Sequence, residues 1–118
     1  MNINHVWAVF QPFTFSRTAL LLDDFARVLT SADKCVITAI MGSSEKNTYN
    51  IYDKDLGNKV EGAVWFGDEQ DHDRNFELCA EYVSSHAEDG DLILTMGCGD
   101  INKCAWLILD KLKARFGE

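Results

Sequence analysis

The sequence predicts a small three-layer α/β domain: a mainly parallel, four-stranded sheet with helices on both faces. Its 118 residues suit a single domain, and 47% of them are hydrophobic, which is enough for one core. Short apolar runs alternate along the chain with segments of helical periodicity. Strands that alternate with amphipathic helices pair in parallel, because each helix carries the chain back across the sheet.

Four short apolar runs predict the strands, in the order in which they occur. The first, Val6–Phe10, is followed by Pro12, which cannot donate a main-chain hydrogen bond. The other three are residues 35–40, residues 63–66 and Leu92–Met96. Such apolar runs are typical of strands that are buried on both faces. We expect the strand order 3-2-1-4, because it makes the crossovers right-handed and places helices on both faces.

Three segments have the apolar spacing of helices. These principal helices are predicted over residues 17–30, 74–88 and 101–116. Ser16 and Asp73 are the expected N-caps of the first two, since their side-chain oxygens can accept from free main-chain N–H groups. Residues 41–60 are polar and poorly periodic, which predicts a long loop with one helical turn near residues 53–56. Trp106 falls on the polar side of the last helix and is expected to be partly exposed.

The composition excludes several classes of function. Acidic residues number 19 against 11 basic ones, and the net charge of −8 disfavours a nucleic-acid or anionic-membrane partner. No apolar run approaches the ~20 residues of a membrane helix, and we expect no secretory signal. The 4 cysteines and 3 histidines lack metal-ligand spacing, so we expect reduced thiols, a cytoplasmic location and no metal site.

Ligands of parallel sheets bind at the carboxyl ends of the strands, so the residues there are the candidates for function. After the fourth strand, Gly97, Gly99 and Asp100 predict a tight turn into the last helix. Glycines beside a helix start suit an anion. A structural turn is the alternative, because Asp100 would cap the helix and repel a phosphate, and the full dinucleotide fingerprint is absent.

Other strand ends carry polar residues as well. Arg17 and Thr18 follow the first strand, and a guanidinium with hydroxyls suits a carboxylate or a phosphate, unless Arg17 is merely solvated. Glu45 lies in the long loop at the edge of the sheet where function is often found, although its composition favours a polar surface turn. Residues 68–73 are rich in oxygen ligands, but they lack calcium-loop spacing and favour a solvated helix entrance. Spacing assembles no nucleophile–base pair, so we predict no catalytic residue.

Several motifs, in order and with matching spacing, resemble the C-terminal domain of Mur ligases. The run Val6–Phe10 with the following Gln-Pro, and then residues 16–18, is similar to the family pattern Val-Phe-Gln-Pro-His followed by Arg-Thr. Residues 45–48, Glu-Lys-Asn-Thr, match the long loop of the family. Residues 90–101 match its Gly-Asp-Leu-Ile-Leu-Thr-Met-Gly-Ala-Gly-Asp-Ile, with Cys98 in place of alanine.

The resemblance implies a Rossmann-like fold and a reaction. The Mur ligases in question use ATP and Mg²⁺ to phosphorylate the carboxylate of UDP-N-acetylmuramate, and the amino group of L-alanine then attacks the acyl phosphate. The product is a peptidoglycan precursor. The C-terminal domain closes over a central ATP-binding domain, which follows an N-terminal UDP-binding domain. These domains are the implied partners, and this chain alone is expected to be inactive and to bind no cofactor.

The resemblance also implies roles for individual residues. The expected substrate-binding residues are Phe13, Arg17, Thr18 and Glu45, and the expected nucleotide-binding residues are Gly97, Gly99 and Asp100. Phe13 stands where the family has histidine, so one polar substrate contact is missing. The chain also contains no Gly-Lys-Thr/Ser phosphate loop.

The resemblance implies that residues 1–118 are the Mur ligase C-terminal domain without its first strand–helix unit. Loss of that unit predicts that Val6–Phe10 is a free sheet edge and that two chains pair there as a homodimer, unless neighbouring strands close the gap. A degenerate stand-alone binding or regulatory domain is the alternative. Phe13 and Ser44 favour it, because the resembled family has histidine and often arginine at these two positions. An unrelated flavodoxin-like module is a third reading, which the ordered motifs disfavour.

Overall fold

Four parallel strands form the central sheet: β1 (Val6–Phe10), β2 (Lys34–Thr38), β3 (Val64–Phe66) and β4 (Leu92–Met96). They lie in the order β3-β2-β1-β4, so the predicted fold class and strand order are confirmed. The computed structural model describes residues 3–42, 45–67, 71–97 and 101–116. The predicted sites at Ser44, residues 68–70, Gly99 and Asp100 lie outside this part of the chain.

Helices flank the sheet on both faces. In the described ranges they are α1 (Phe15–Leu20), α2 (Leu22–Leu29), α3 (Asp53–Gly57), α4 (His72–His86) and α5 (Ile101–Phe116). The helical turn expected in the long loop is α3. The single helix expected over residues 17–30 is instead two helices, because Leu21 has a non-helical backbone with φ −107° and ψ 18°. None of the helices described is long and apolar enough to cross a membrane.

The predicted N-caps of α1 and α4 are wrong. Thr14 caps α1 and accepts a hydrogen bond from the Arg17 N–H, while Ser16 lies inside the helix. The helix begins earlier than predicted, at Phe15, because the Phe15 ring is buried in a cluster with Ile40 and Ile51. Likewise Asp71 caps α4 by accepting from the Arg74 N–H, so Asp73 belongs to the first turn.

Alternate side chains of the central strands enter two cores. Trp7 and Val9 point to the face that α4 and α5 cover, where Phe76 is fully buried. Ala8 and Ile37 point to the face that α2 and α3 cover. The described cysteines are free and buried, and burial raises the pKa of the Cys35 thiol to about 11. Burial of this kind suits small core side chains and gives them no nucleophilic role.

The first strand is not a free edge, and the prediction that Val6–Phe10 is exposed is wrong. β1 pairs with β4 from Val6 to Phe10 and with β2 from Trp7 to Phe10. The neighbouring strands therefore close the sheet within one chain. Two chains cannot form the predicted homodimer by pairing through β1. The sheet edges are β3 and β4. Trp106 on α5 is 65% exposed, as predicted.

Candidate functional site

The carboxyl ends of β1 and β4 are held together at one close approach. The Gln11 N–H donates to the Met96 carbonyl oxygen at 2.9 Å. Gly97 follows with φ 154°, and a Cβ on it would lie 2.9 Å from the Gln11 carbonyl oxygen. Only glycine satisfies both the backbone conformation and this contact. The predicted site glycine therefore has a structural reason to be there, which does not depend on any ligand.

The carboxyl ends of β1 and β2 meet at a second junction. The Thr14 N–H donates to the Met41 carbonyl oxygen, and the Met41 N–H donates to the Pro12 carbonyl oxygen, both at 2.8 Å. Thr14 has φ 64°, which is a strained conformation for a β-branched residue. The Thr18 hydroxyl donates to the Thr14 carbonyl oxygen at 2.7 Å and helps to hold it there. Strain that is held by surrounding contacts is typical of ligand-binding turns.

These junctions shape a groove with a volume of about 310 Å³. It is lined by Phe10, Gln11, Phe13, Arg17, Leu21, Phe25 and Gly97. The Arg17 guanidinium carbon lies 6.0 Å from the centre of the Phe13 ring, so the cation covers an aromatic face. No carboxylate in the described ranges forms an ion pair with Arg17. The groove thus combines one available cation with apolar walls, a combination that suits an anionic ligand with an apolar part.

The long loop is fastened to the start of α1. The Ser16 hydroxyl donates to Glu45 Oε2 at 2.6 Å, and the Ser16 N–H donates to Glu45 Oε1 at 3.0 Å. These hydrogen bonds lower the pKa of Glu45, first through the hydroxyl and then through the main chain. The side chain of Asn47 both donates to and accepts from Ile51, which closes the loop on itself. Glu45 is therefore placed beside Arg17 by contacts within the chain.

The predicted substrate-binding residues differ in their position relative to the groove. Phe13 and Arg17 line the groove, and Glu45 is tied to the residue before Arg17. Thr18 is fully buried, and its hydroxyl is committed to Thr14. Its place is therefore beneath the turn and not at the groove surface. The structure supports a positioning role for Thr18, because a residue without exposed surface cannot touch a ligand in this arrangement.

The apolar walls of the groove and the strained turn at Thr14 are not predicted from the sequence. Phe10 lies in a predicted buried strand and Phe25 in a predicted helix, yet their ring centres are 5.3 Å apart and both residues line the groove. Their helical and strand periodicity gave no sign of this second role. Thr14 could have been found, because a threonine three residues before Arg17 fits the N-cap pattern. Within the described ranges, no three metal-ligating side chains cluster.

Comparison with known proteins identifies relatives for almost the whole chain. The UDP-N-acetylmuramate–L-alanine ligase of Caldicellulosiruptor saccharolyticus is 43% identical over 106 residues, which cover 90% of this chain and 23% of the relative. The same ligase of Acetivibrio thermocellus is 38% identical over 112 residues, or 92% of this chain and 22% of the relative. The same ligase of Lachnospira eligens is 43% identical over 100 residues, which cover 85% of this chain and 21% of the relative. No protein-family model matches.

Over nearly its whole length the chain is similar to the C-terminal domain of Mur ligases, and its parallel sheet with flanking helices is consistent with that domain. The particular ligase whose C-terminal domain it matches is UDP-N-acetylmuramate–L-alanine ligase. The resemblance predicted from the motifs is therefore confirmed. The chain spans about a fifth of the length of the relatives it matches.

Proposed function

We propose that the chain acts as the closing domain of an ATP-dependent ligase that joins L-alanine to UDP-N-acetylmuramate in peptidoglycan synthesis. The observation that carries the proposal is identity of 34–43% to such ligases over nearly the whole chain. The groove at the ends of β1 and β4 supports it, because it offers a cation at the sheet edge where ligands of parallel sheets bind. The reaction would take place in the cytoplasm.

In this proposal Arg17 is the substrate-facing group of the chain. Its guanidinium would bind a carboxylate or phosphoryl oxygen and stabilise the charge that develops during acyl transfer. Phe13 backs the guanidinium, which limits its directions of approach. Glu45 lies close enough to lower the local positive potential and is fixed by Ser16. Gly97, Gly99 and Asp100 would border the nucleotide.

ATP and Mg²⁺ fit this chain only in part. The Arg17 guanidinium can bind one charged end of an anionic ligand. The described residues contain no cluster of three metal-ligating side chains that could hold Mg²⁺. We therefore assign the triphosphate and Mg²⁺ chiefly to a central ATP-binding domain, with an N-terminal UDP-binding domain holding the sugar nucleotide. The 118 residues would correspond to the C-terminal domain without its first strand–helix unit, and they would not catalyse ligation alone.

A chimera tests the proposal directly. The matching segment of the Caldicellulosiruptor saccharolyticus ligase, which is 23% of that protein, is replaced by this chain. We expect ADP release that requires both UDP-N-acetylmuramate and L-alanine. The same relative without the segment serves as the control and should release none. A chimera that unfolds cooperatively on heating yet releases no substrate-dependent ADP contradicts the proposal.

The second candidate is a stand-alone binding or regulatory domain that has lost ligase function. One observation favours it: Phe13, which replaces the histidine of the resembled motif, is a groove wall and cannot make a polar contact. The variant Phe13→His in the chimera separates the two functions. Restored activity in an otherwise inactive Phe13 chimera supports the degenerate domain, whereas activity already present with Phe13 supports the ligase domain.

A further inference from the structure

A groove with a volume of about 430 Å³ lies at the surface between α4 and α5. Phe76 of α4 lines it and is fully buried, so its ring forms the base, and Trp106 of α5 forms one wall. The two helices are in direct contact beneath the groove, because the Cys104 thiol donates to the Phe76 carbonyl oxygen at 3.7 Å. The groove is therefore built from packed helices and is formed before any ligand binds.

The position of this groove does not depend on what precedes β1 in a longer chain. The chain runs from β1 to β2 through α1 and α2, and it returns in the opposite direction from β3 to β4 through α4. Because such crossovers are right-handed, these two connections lie on opposite faces of the sheet. A strand–helix unit that entered beside β4 and continued into β1 would carry its helix on the α1–α2 face for the same reason. The groove lies on the other face.

The Trp106 side chain is available for binding. Its neighbours Leu107 and Ile108 pack into the core beneath α5, whereas Trp106 is 65% exposed and is the most exposed of the 3 tryptophans. A tryptophan stabilises a fold through the large area that it buries, and here most of that area remains in water. Tryptophan and arginine are also the side chains that most often dominate the binding energy of protein interfaces. An exposed indole beside a formed groove therefore indicates a docking surface.

The rim of the groove is acidic. Asp73 and Glu77 lie one turn apart on α4, and Asp110 lies one turn after Trp106 on α5. Side chains one turn apart on a helix share a face, so each helix turns carboxylates toward the groove. The whole chain has a net charge of −8, which adds to the local negative potential.

Cations of the chain itself do not neutralise this rim. Arg74 pairs with Glu77 at 3.3 Å, and Lys103, which also lines the groove, is engaged in an interaction. Within the described ranges, the side chains of Asp73 and Asp110 form no ion pair or hydrogen bond. One carboxylate on each helix is therefore available to a cationic group that enters the groove.

We propose that this groove docks an arginine-bearing segment of a partner polypeptide. The guanidinium stacks on the Trp106 indole and donates to Asp110, while Asp73 across the groove accepts from a second basic group of the same segment. Arginine fits better than lysine, because its planar cation stacks on an aromatic face and donates two parallel hydrogen bonds to a carboxylate. The apolar base at Phe76 suits an apolar side chain beside the arginine. The proposal does not rest on the ligase assignment.

The test titrates the full chain with a blocked peptide of alternating leucine and arginine and follows the tryptophan indole N–H signals by NMR. The Trp106 signal, assigned by its loss in Trp106→Phe, is expected to move. The Trp7 signal should not, because that indole is buried and donates to Asp91. A matched peptide carries citrulline, which has the shape of arginine without its charge, and should bind roughly tenfold more weakly. Added salt should weaken binding of the arginine peptide.

Two variants and a control locate the binding surface. Trp106→Ala removes the stacking face and should weaken binding roughly tenfold. Asp110→Asn keeps the size of the side chain and removes its charge, and it should weaken binding roughly fivefold. Glu61→Gln is the matched control, because it changes the net charge equally at an exposed position outside the groove. It should leave the affinity unchanged. Thermal unfolding of all three should match the parent chain, since the replaced side chains are exposed.

Four results would overturn the proposal. The first is equal affinity for the citrulline and arginine peptides. The second is unchanged binding in both Trp106→Ala and Asp110→Asn. The third is a Trp106 signal that moves with protein concentration alone while sedimentation gives the mass of two chains, because a second copy would then fill the groove. The fourth is guanidinium ion alone binding as tightly as the peptide. None of these results involves ADP release by the chimera, so failure here is distinguishable from failure of the ligase assignment.

Discussion

Replacing Gly97 by alanine is expected to destabilise the protein far more than an ordinary glycine substitution does. The φ of 154° is rarely adopted by residues with a side chain, at a cost of roughly 1–3 kcal/mol. The new Cβ would also lie 2.9 Å from the Gln11 carbonyl oxygen, which is main chain and cannot rotate away. Steric crowding in a packed region adds roughly 1–3 kcal/mol. Alanine regains about 0.4–1 kcal/mol by restricting the unfolded chain.

The middle of each range gives a net loss of roughly 3 kcal/mol for Gly97→Ala. Unfolding entropy of about 2.1 cal/mol/K per residue amounts to about 0.25 kcal/mol/K for this chain, so Tm should fall by roughly 12 °C. Urea unfolding followed by circular dichroism gives the free energy, and a thermal scan gives Tm. Gly62→Ala is the matched control, because Gly62 has φ 79° but nothing within 4 Å of the added Cβ.

Gly62→Ala carries only the backbone cost, about 1–2 kcal/mol before the gain from the unfolded chain. It should therefore lower the free energy of unfolding by about 1 kcal/mol or less. If Gly97→Ala is no more destabilising than this control, the close approach of β4 to β1 is not a constraint. The shape of the groove would then not depend on a glycine at position 97.

Three further predictions concern the Glu45 contact, the Asp91 contacts and nucleotide binding. Ser16→Ala removes the hydroxyl that lowers the pKa of Glu45, so that pKa should rise toward its ordinary value in a carboxyl NMR titration; an unchanged value would contradict the contact. Desolvation raises the pKa of Asp91, but hydrogen bonds from the Glu88 N–H and the Trp7 indole outweigh it and hold the pKa below its ordinary value. A lowered pKa adds stability that is present above the unfolded-state value and lost as pH falls through the folded-state value, so Asp91→Asn should flatten the acid limb of urea stability; an equally steep limb would refute this. The isolated chain should give no micromolar binding of Mg-ATP in calorimetry, since it has no phosphate loop, and such binding would overturn the assignment of the triphosphate to another domain.

Much of the fold was predictable because it follows from local periodicity. The strand at Leu92–Met96, the helical turn near α3 and the exposure of Trp106 all come from the spacing of apolar residues. The break at Leu21 was not, because the apolar stripe continues through it without interruption. The positive φ of Thr14 was hidden for another reason: it depends on hydrogen bonds to Met41, which is distant in sequence.

The candidate site was predictable residue by residue but not as an arrangement. Arg17 and Phe13 were singled out by the resembled motif, and the structure brings them together. The contact between Ser16 and Glu45 joins residues 29 positions apart, and no periodicity signals it. The free edge was misplaced for the same reason. Pairing of β1 with β4 joins segments separated by most of the chain, and no local pattern signals it.

The measurement that tests the account most directly compares two arginine variants in the chimeric ligase. Arg17→Ala should lower kcat/KM for substrate-dependent ADP release by roughly 10–100-fold, because it removes a charged hydrogen bond to substrate. Arg27→Ala is the matched control, since Arg27 lies on α2 in an exposed pair with Asp24, and its activity should be unchanged. Equal activity of the two variants in a chimera that releases ADP would contradict the placement of the working surface at the β1–β4 groove.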